Sequence, residues 1–176
     1  NQTVSDDELP ATARCIAMAA LKYGDNINTD IISPPQYMEL SIAEASAYSM
    51  QAVDPNFAKR TKRGDCFVAE KNLGSGSSRE TSPLTLKYLG ISCVIAQSFA
   101  RIFYRNCINV GIPALQCAET DRIQDGDELR VNVAEGKIEN LTRGETYTCD
   151  KLPEHILAII RAGGLFEYIK AKREAK

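Results

Sequence analysis

The sequence has a single histidine, His155, and no Trp. Its six cysteines lie far apart in the chain, without a Cys-x-x-Cys pair or a Cys/His cluster, so we expect no metal ion bound by this chain alone. Several of the cysteines lie in apolar runs, where a free thiol behaves as a small hydrophobic group. This pattern predicts reduced cysteines and a cytoplasmic protein.

Long apolar runs and an excess of positive charge are also missing. The longest apolar runs, such as Cys15–Leu21, have seven residues, whereas a transmembrane helix needs roughly 20. The 21 Lys and Arg residues against 23 Asp and Glu residues give a net charge of −2. We therefore expect no membrane span and no electrostatic binding of nucleic acid, and a small molecule or another protein is the favoured partner.

What is present is an ordinary globular composition, with 44% hydrophobic residues in 176 and a mean hydropathy of −0.25. The length predicts one domain over residues 1–176, with a polar lead at 1–12 and a C-terminal helical segment at 153–176 that two glycines interrupt. In the middle of the chain, short apolar runs typical of buried strands alternate with helical segments, which predicts an α/β fold. The predicted strands are 14–22, 66–70, 91–97 and 112–116, the predicted helices are 41–50, a segment ending at Gly90, and 99–110, and antiparallel strands are predicted at 128–133 and 147–151.

The stretch Gly74–Glu80 (GSGSSRE) leads from a predicted strand into a predicted helix. Such a turn directs backbone N–H groups and the positive end of the helix dipole to one place, which favours an anion. Gly76 permits close approach, the hydroxyls of Ser77 and Ser78 can donate hydrogen bonds, and the Arg79 guanidinium matches a carboxylate. On spacing alone, the same stretch also fits a linker or a capping box between Ser77 and Glu80.

Two other segments carry polar residues in a defined pattern. Asp30 lies in the turn-rich stretch 23–35, where an isolated Asp is usually a turn residue. In the segment 98–109 (SFARIFYRNCIN), helical spacing puts Phe99, Ile102 and Phe103 on one face, which we interpret as a core face. The arginines of this segment fit an exposed helix face better than a ligand site.

Taken together and in this order, GDNINTDIIS, GDCFVAEKNLGSGSSRE and SFARIFYRNCINVGIPAL resemble the small subunits of 3-isopropylmalate dehydratase. The resemblance covers residues 14–116. It implies a swivelling β/β/α domain like the fourth domain of aconitase. It also implies a hydro-lyase subunit of branched-chain amino acid biosynthesis, active only with a large subunit in a heterodimer or heterotetramer. In that family the large subunit carries a [4Fe-4S] cluster, and the substrate is a small dicarboxylate.

The resemblance also implies roles for individual residues. Ser77 is expected to be the base that removes a proton next to a substrate carboxylate, and Asp30 a second catalytic residue that orients a side chain of the partner. Ser78, Arg79 and Gly76 are expected to bind substrate.

The substrate is less well defined by the sequence. The family's specificity loop falls on Tyr37–Leu40, where Met38 and Leu40 suit a branched alkyl group and an inward Glu39 would repel a third carboxylate. This favours isopropylmalate or another alkylmalate over homoaconitate or citrate. Thr81 and Ser75 depart from the family pattern, which often has His and Cys there. The alternatives are a related dehydratase for methylmalate or citraconate, dimethylmalate or homoaconitate, and a non-catalytic anion-binding domain.

Overall fold

The computed structural model describes residues 17–77 and 79–175. One seven-stranded sheet runs through this part of the chain, in the order β4-β3-β2-β1-β5-β6-β7. The strands are β1 (Ala17–Lys22), β2 (Cys66–Val68), β3 (Cys93–Ala96), β4 (Ala114–Gln116), β5 (Glu128–Asn132), β6 (Lys137–Asn140) and β7 (Glu145–Thr148). The helices are α1 (Thr29–Ile32), α2 (Ile42–Ala45), α3 (Phe57–Arg60), α4 (Thr81–Tyr88), α5 (Arg101–Asn109), α6 (Glu154–Ala162) and α7 (Leu165–Glu174).

The first four strands form a parallel half of the sheet, in which β1 pairs with β2, β2 with β3, and β3 with β4. Every residue of β2 and β3 is buried. Unbroken burial is expected for parallel strands covered on both faces, and it explains why these segments are continuous apolar runs in the sequence. Phe67 of β2 packs edge-on to Phe57 of α3 and stacks on Tyr23, at centroid distances of 5.9 and 5.2 Å.

The last three strands form an antiparallel half, joined to the rest through pairing of β5 with β1. Burial alternates along β5, so that one face packs on the core and the other faces solvent. The prediction of antiparallel strands at 128–133 and 147–151 is confirmed. A further strand, β6, lies between the two predicted segments and pairs with both β5 and β7.

The sequence pattern did not predict the short helices α1 and α3. α1 lies in the turn-rich stretch 23–35, and α3 lies in residues for which no helix is predicted, because a four-residue helix is one turn long and leaves no periodic pattern. The predicted helix at 41–50 is instead α2 followed by a 3₁₀ turn at Ser46–Tyr48. Ser41 caps α2, since its hydroxyl accepts a hydrogen bond from the Glu44 amide.

The predicted core face of α5 is only partly confirmed. Phe103 is 2% exposed and belongs to the core, and Phe99 packs against the core, but Ile102 is 47% exposed. Within 153–176, α6 ends at Gly163, whose positive φ of 96° suits a left-handed cap, and α7 begins after Gly164. None of the helices in the described residues has the length and apolar character needed to cross a bilayer.

Candidate functional site

The candidate site lies at the carboxyl edge of the parallel half. Parallel strands end at the same edge of a sheet, so the segments that follow β1, β2 and β3 come together there. The segment after β1 contains α1, the segment after β2 contains Gly74–Glu80, and the segment after β3 leads into α5. The three motifs of the sequence are thereby brought to one place.

Ser77, Arg79 and Asp30 form the centre of this site. The Arg79 Nε–H donates to Ser77 Oγ at 3.0 Å, and the Arg79 amide approaches the same oxygen at 3.4 Å. An Arg79 Nη2–H donates to Asp30 Oδ1 at 2.7 Å, across 49 residues of sequence. The Asp30 side chain is 58% exposed and that of Arg79 is 23% exposed, so the pair is open to a ligand. The predicted site residues Ser77, Arg79 and Asp30 are therefore in contact.

The third motif, which begins at Ser98, contacts the loop that carries Ser77. Leu73 forms an isolated parallel bridge with Phe99, and the Asn72 amide donates to Ser98 Oγ at 2.8 Å. Gly74 has a φ of +86°, and a Cβ at this position would overlap the Phe103 ring. The close approach of loop and α5 therefore requires glycine at this position. This contact explains why the two motifs occur together in one sequence.

The beginning of α4 is also open at this site. Its N-cap residue is Glu80, without a side-chain cap hydrogen bond. The Ser77 hydroxyl faces Arg79 instead of capping the helix, so the alternative of a capping box between Ser77 and Glu80 is wrong. An uncapped first turn leaves amide groups near the positive end of a helix, where they favour an anion.

The remaining predicted site residues are placed differently. Gly76, with a φ of +106°, passes close to Thr29: a Cβ there would lie 3.2 Å from Thr29 Oγ1. Met38 and Leu40 are 56% and 38% exposed on the turn after α1, and Glu39 is exposed as well. Among the described residues, none of these three makes a hydrogen bond or an ion pair with Ser77 or Arg79. Ser78 lies outside the described residues.

The chemistry of the donor set does not fit a metal centre in this part of the chain. No three His, Cys, Asp or Glu side chains of residues 17–77 and 79–175 come together as a metal ion requires. The five described cysteines are free and buried. Cys66 and Cys93 are neighbours on β2 and β3 with their Sγ atoms 3.2 Å apart, and burial in the sheet raises the pKa of the Cys66 thiol. These thiols are core groups.

A groove of about 470 Å³ opens at the opposite, amino edge of the sheet. Its lining is mostly apolar and includes Met18, Ile112 and Val131. Lys87 also lines it, but its amino group donates to the carbonyls of Val110 and Gly163 and so serves the structure. The polar chemistry therefore favours the carboxyl edge as the functional site, although the groove lies at the other edge.

Comparison with known proteins shows the family to which the chain belongs. The model of the aconitase C-terminal domain family matches residues 20–120, more than half of the chain. A 3-isopropylmalate dehydratase small subunit of Methanosarcina acetivorans is 49% identical over 152 residues, which cover 86% of this chain and 94% of the relative. An isopropylmalate/citramalate isomerase small subunit of Methanocaldococcus jannaschii is 51% identical over 153 residues, 86% of this chain and 91% of the relative.

A solved structure shows the same fold. The crystal structure of 3-isopropylmalate dehydratase from Methanocaldococcus jannaschii superposes with a TM-score of 0.87 at 40% sequence identity, covering 91% of this chain and 96% of that one. The chain belongs to the family of 3-isopropylmalate dehydratase small subunits. The predicted aconitase-type swivelling domain and the predicted assignment to a dehydratase subunit are confirmed.

Sequence reasoning missed one member of the candidate site, Thr29. It is 1% exposed, and its hydroxyl oxygen accepts a hydrogen bond from the Ser77 amide at 2.9 Å. Asn28 was also passed over, although an Asn before a short apolar run is a usual helix cap, and its Oδ1 does accept from the Ile31 amide at 2.8 Å. That cap is the signal that would have placed α1, and with it Thr29, at the site.

Proposed function

We propose that this chain is the small subunit of a 3-isopropylmalate dehydratase-type hydro-lyase, and that Ser77 is its base. With a large subunit it isomerises an alkylmalate by removing water and adding it back with the hydroxyl on the neighbouring carbon. The observation that carries the proposal is the contact of Ser77 Oγ with two N–H groups of Arg79. The unsaturated diacid is the intermediate product of this reaction.

A serine hydroxyl is a poor base, so its anion must be strongly favoured. The Arg79 Nε–H supplies a charged hydrogen bond to Ser77 Oγ, and the Arg79 amide adds a second donor. Both donors act more strongly when closure excludes water from the site. The alkoxide then takes the proton from the carbon next to a substrate carboxylate, and the same hydroxyl returns a proton in the reverse addition.

Arg79 has a second role in this proposal, the binding of a substrate carboxylate. Its contacts with Ser77 and Asp30 leave the other guanidinium N–H groups without a partner among the described residues. The planar group matches a carboxylate with two parallel hydrogen bonds. The uncapped first turn of α4 lies beside it, and we assign Gly76 and Ser78 to the same subsite.

Asp30 acts in this proposal through Arg79. An exposed ion pair is worth about 1 kcal/mol or less in water, so at 58% exposure Asp30 adds little to the stability of the free subunit. Its carboxylate fixes one edge of the guanidinium and so directs Nε at Ser77. A contact of Asp30 with a side chain of the large subunit remains a prediction.

The large subunit is part of the proposal because the relatives of this chain are named as small subunits. By the family resemblance, the [4Fe-4S] cluster belongs to that subunit. The stoichiometry, a heterodimer or a heterotetramer, and the cytoplasmic location stay predictions.

For the substrate, we propose isopropylmalate or another alkylmalate. The exposed Met38 and Leu40 suit a branched alkyl group once a partner covers them, and Glu39 would repel a third carboxylate if its side chain turned inward in the complex. The relative named as an isopropylmalate/citramalate isomerase small subunit makes a shorter alkylmalate the second candidate. A panel of isopropylmalate, methylmalate, dimethylmalate and homoaconitate on the reconstituted pair separates these substrates.

The test of the base is Ser77→Ala in the complex with the large subunit. We expect the ultraviolet absorbance of the unsaturated diacid to appear about 10²- to 10⁴-fold more slowly, because general acid–base catalysis typically contributes that much to a rate. The matched control is Ser75→Ala, which removes a hydroxyl from the same loop. The Ser75 side chain makes no hydrogen bond with a described residue, and only its backbone carbonyl is used, by the Thr29 amide.

The control variant should keep the rate of the original chain within about twofold, and both variants should assemble with the large subunit. Full activity of Ser77→Ala would reject Ser77 as the base. Equal loss in the two variants would reject a specific role of the Ser77 hydroxyl.

A further inference from the structure

The candidate site contains a buried hydroxyl that does not face the ligand side. Thr29 is 1% exposed and begins α1, next to Asp30. A buried hydroxyl is costly unless it is hydrogen-bonded. Thr29 Oγ1 accepts from the Ser77 amide at 2.9 Å, and the two residues are 48 positions apart in the chain. Its partner is thus the backbone of the proposed base.

Thr29 also contacts Ser75 in the same loop and Ser82 in α4. Its amide donates to the Ser75 carbonyl at 2.9 Å, and its carbonyl accepts from the Ser82 hydroxyl at 3.2 Å. Gly76 lies between the two backbone contacts with a φ of +106°, a conformation that L side chains rarely adopt. Two of these hydrogen bonds therefore fix the loop backbone at Ser75 and Ser77, and the third ties Thr29 to the Ser82 side chain in α4.

The direction of the Ser77 amide restricts where its side chain can point. Because the amide donates to Thr29, the backbone at Ser77 cannot rotate freely. In this backbone conformation, Ser77 Oγ lies on the side of Arg79. The amide itself is occupied, so it cannot stabilise an alkoxide on its own side chain. Without the Thr29 hydroxyl, the 76–77 peptide would have no acceptor among the described residues to define its rotation.

We propose that Thr29 is a positioning residue, whose hydroxyl holds the Ser77 backbone so that Ser77 Oγ stays within hydrogen-bond distance of Arg79. The proposal rests on the proposed function, since it gives a role to the environment of the proposed base. α1 then has two roles, because Thr29 fixes the base and its neighbour Asp30 fixes the arginine. Both contacts depend on one turn of helix that Asn28 caps.

The test compares Thr29→Val with Thr29→Ser in the complex with the large subunit. Valine keeps the shape of threonine and loses the acceptor, whereas serine keeps the acceptor and loses a methyl group. For Thr29→Val, we expect kcat per assembled complex to fall about 10- to 100-fold with KM changed less than about threefold, since small misplacement of a reacting group is costly. Thr29→Ser should restore kcat to within about threefold.

A second readout concerns the isolated small subunit. Hydrogen exchange at the Ser77 amide should become faster in Thr29→Val and stay close to the original rate in Thr29→Ser. If circular dichroism shows that Thr29→Val does not fold, Thr29→Ala takes its place in both measurements with the same expectations.

Unchanged kcat in the valine variant, or failure of serine to restore it, would overturn the positioning role. The positioning role would also be overturned if activity fell only in proportion to the amount of assembled complex. The outcomes are separable from those of the proposed function: an inactive Ser77→Ala with a fully active Thr29→Val rejects only the role of Thr29, whereas an active Ser77→Ala rejects the base itself.

Discussion

The parallel and antiparallel halves of the sheet differ in what their polar residues do. At the carboxyl edge of the parallel half, polar groups are held in place yet open to solvent, as in the pair of Asp30 and Arg79. In the antiparallel half, Asp127 is 4% exposed and is surrounded by donors, with Arg143 Nε–H, Asn140 Nδ2–H and the Gln124 amide each at 2.9 Å. Open polar groups with unused donors are available to a ligand, whereas saturated buried ones serve stability.

The largest effect expected in the parallel half is that of Gly74→Ala. The new methyl group would overlap the Phe103 ring, at a backbone φ of +86° that already disfavours alanine. We expect the free energy of unfolding to fall by about 3 kcal/mol or more, because overpacking and backbone strain add. Urea unfolding measures this loss.

The matched control is Gly126→Ala in the antiparallel half, which has the same positive φ of 86° but nothing within 4 Å of the added Cβ. It should cost only the backbone strain, about 1 kcal/mol. Equal losses in the two variants would show that contact with Phe103 does not support the Ser77 loop.

The second prediction concerns Arg79→Lys. Lysine keeps the charge but cannot hold Asp30, Ser77 and a carboxylate with one planar group. We expect kcat/KM to fall about 100-fold, equivalent to about 2.7 kcal/mol, while the free energy of unfolding changes by less than about 1 kcal/mol. Steady-state kinetics of the complex and urea unfolding of the subunit measure the two quantities.

The control for this change is Arg130→Lys in the antiparallel half, where Arg130 Nη1 lies 3.8 Å from Glu139 on an exposed face. Activity should be unchanged there. A complex of Arg79→Lys with the original kcat/KM would contradict a role of the planar guanidinium in binding.

The third prediction concerns Asp127→Ala, which should lower stability and leave activity unchanged, the opposite of Arg79→Lys. We expect the free energy of unfolding to fall by about 2 kcal/mol, since hydrogen bonds to a buried charge are lost, while kcat per assembled complex stays the same. A comparable loss of kcat would show that the two halves are not functionally separate.

The same variant has a defined pH dependence. Burial tends to raise the pKa of Asp127, but the hydrogen bonds from Asn140, the Gln124 amide and Arg143 outweigh it and lower the pKa. A carboxyl group with a lowered pKa stabilises the fold above its unfolded pKa of about 4, and this contribution is lost as the pH falls through the folded pKa. The stability difference between the original chain and Asp127→Ala should therefore be constant near neutral pH and shrink in acid.

The parallel half is also the part that the sequence predicted better. Its strands are unbroken apolar runs because they are buried on both faces, and its site residues stand in a loop with a distinct composition. β6 was missed because its four residues, KIEN, carry a single fully buried apolar side chain and look like a polar connection. The Asp127 cluster was missed for another reason: its contacts join residues through tertiary packing and leave no pattern along the chain.

Within the site, the sequence likewise indicated candidate residues but not the contacts between them. Ser77, Arg79 and Asp30 were proposed as site residues from the motifs and the family resemblance, but their arrangement could not be predicted. The hydrogen bonds from Arg79 to Asp30 and from Ser77 to Thr29 span 49 and 48 residues, and spacing alone cannot show them. Ile102 shows the limit of helical periodicity: it shares a face with Phe103 but lies at the margin of that face, and is 47% exposed.

The most direct measurement is a crystal structure of the complex with the large subunit and an unsaturated diacid. We expect Ser77 Oγ to lie within about 3.5 Å of the substrate carbon that exchanges its proton, with Arg79 on the adjacent carboxylate. A diacid bound in the closed complex with Ser77 Oγ directed away from that carbon would contradict the assignment of Ser77 as the base.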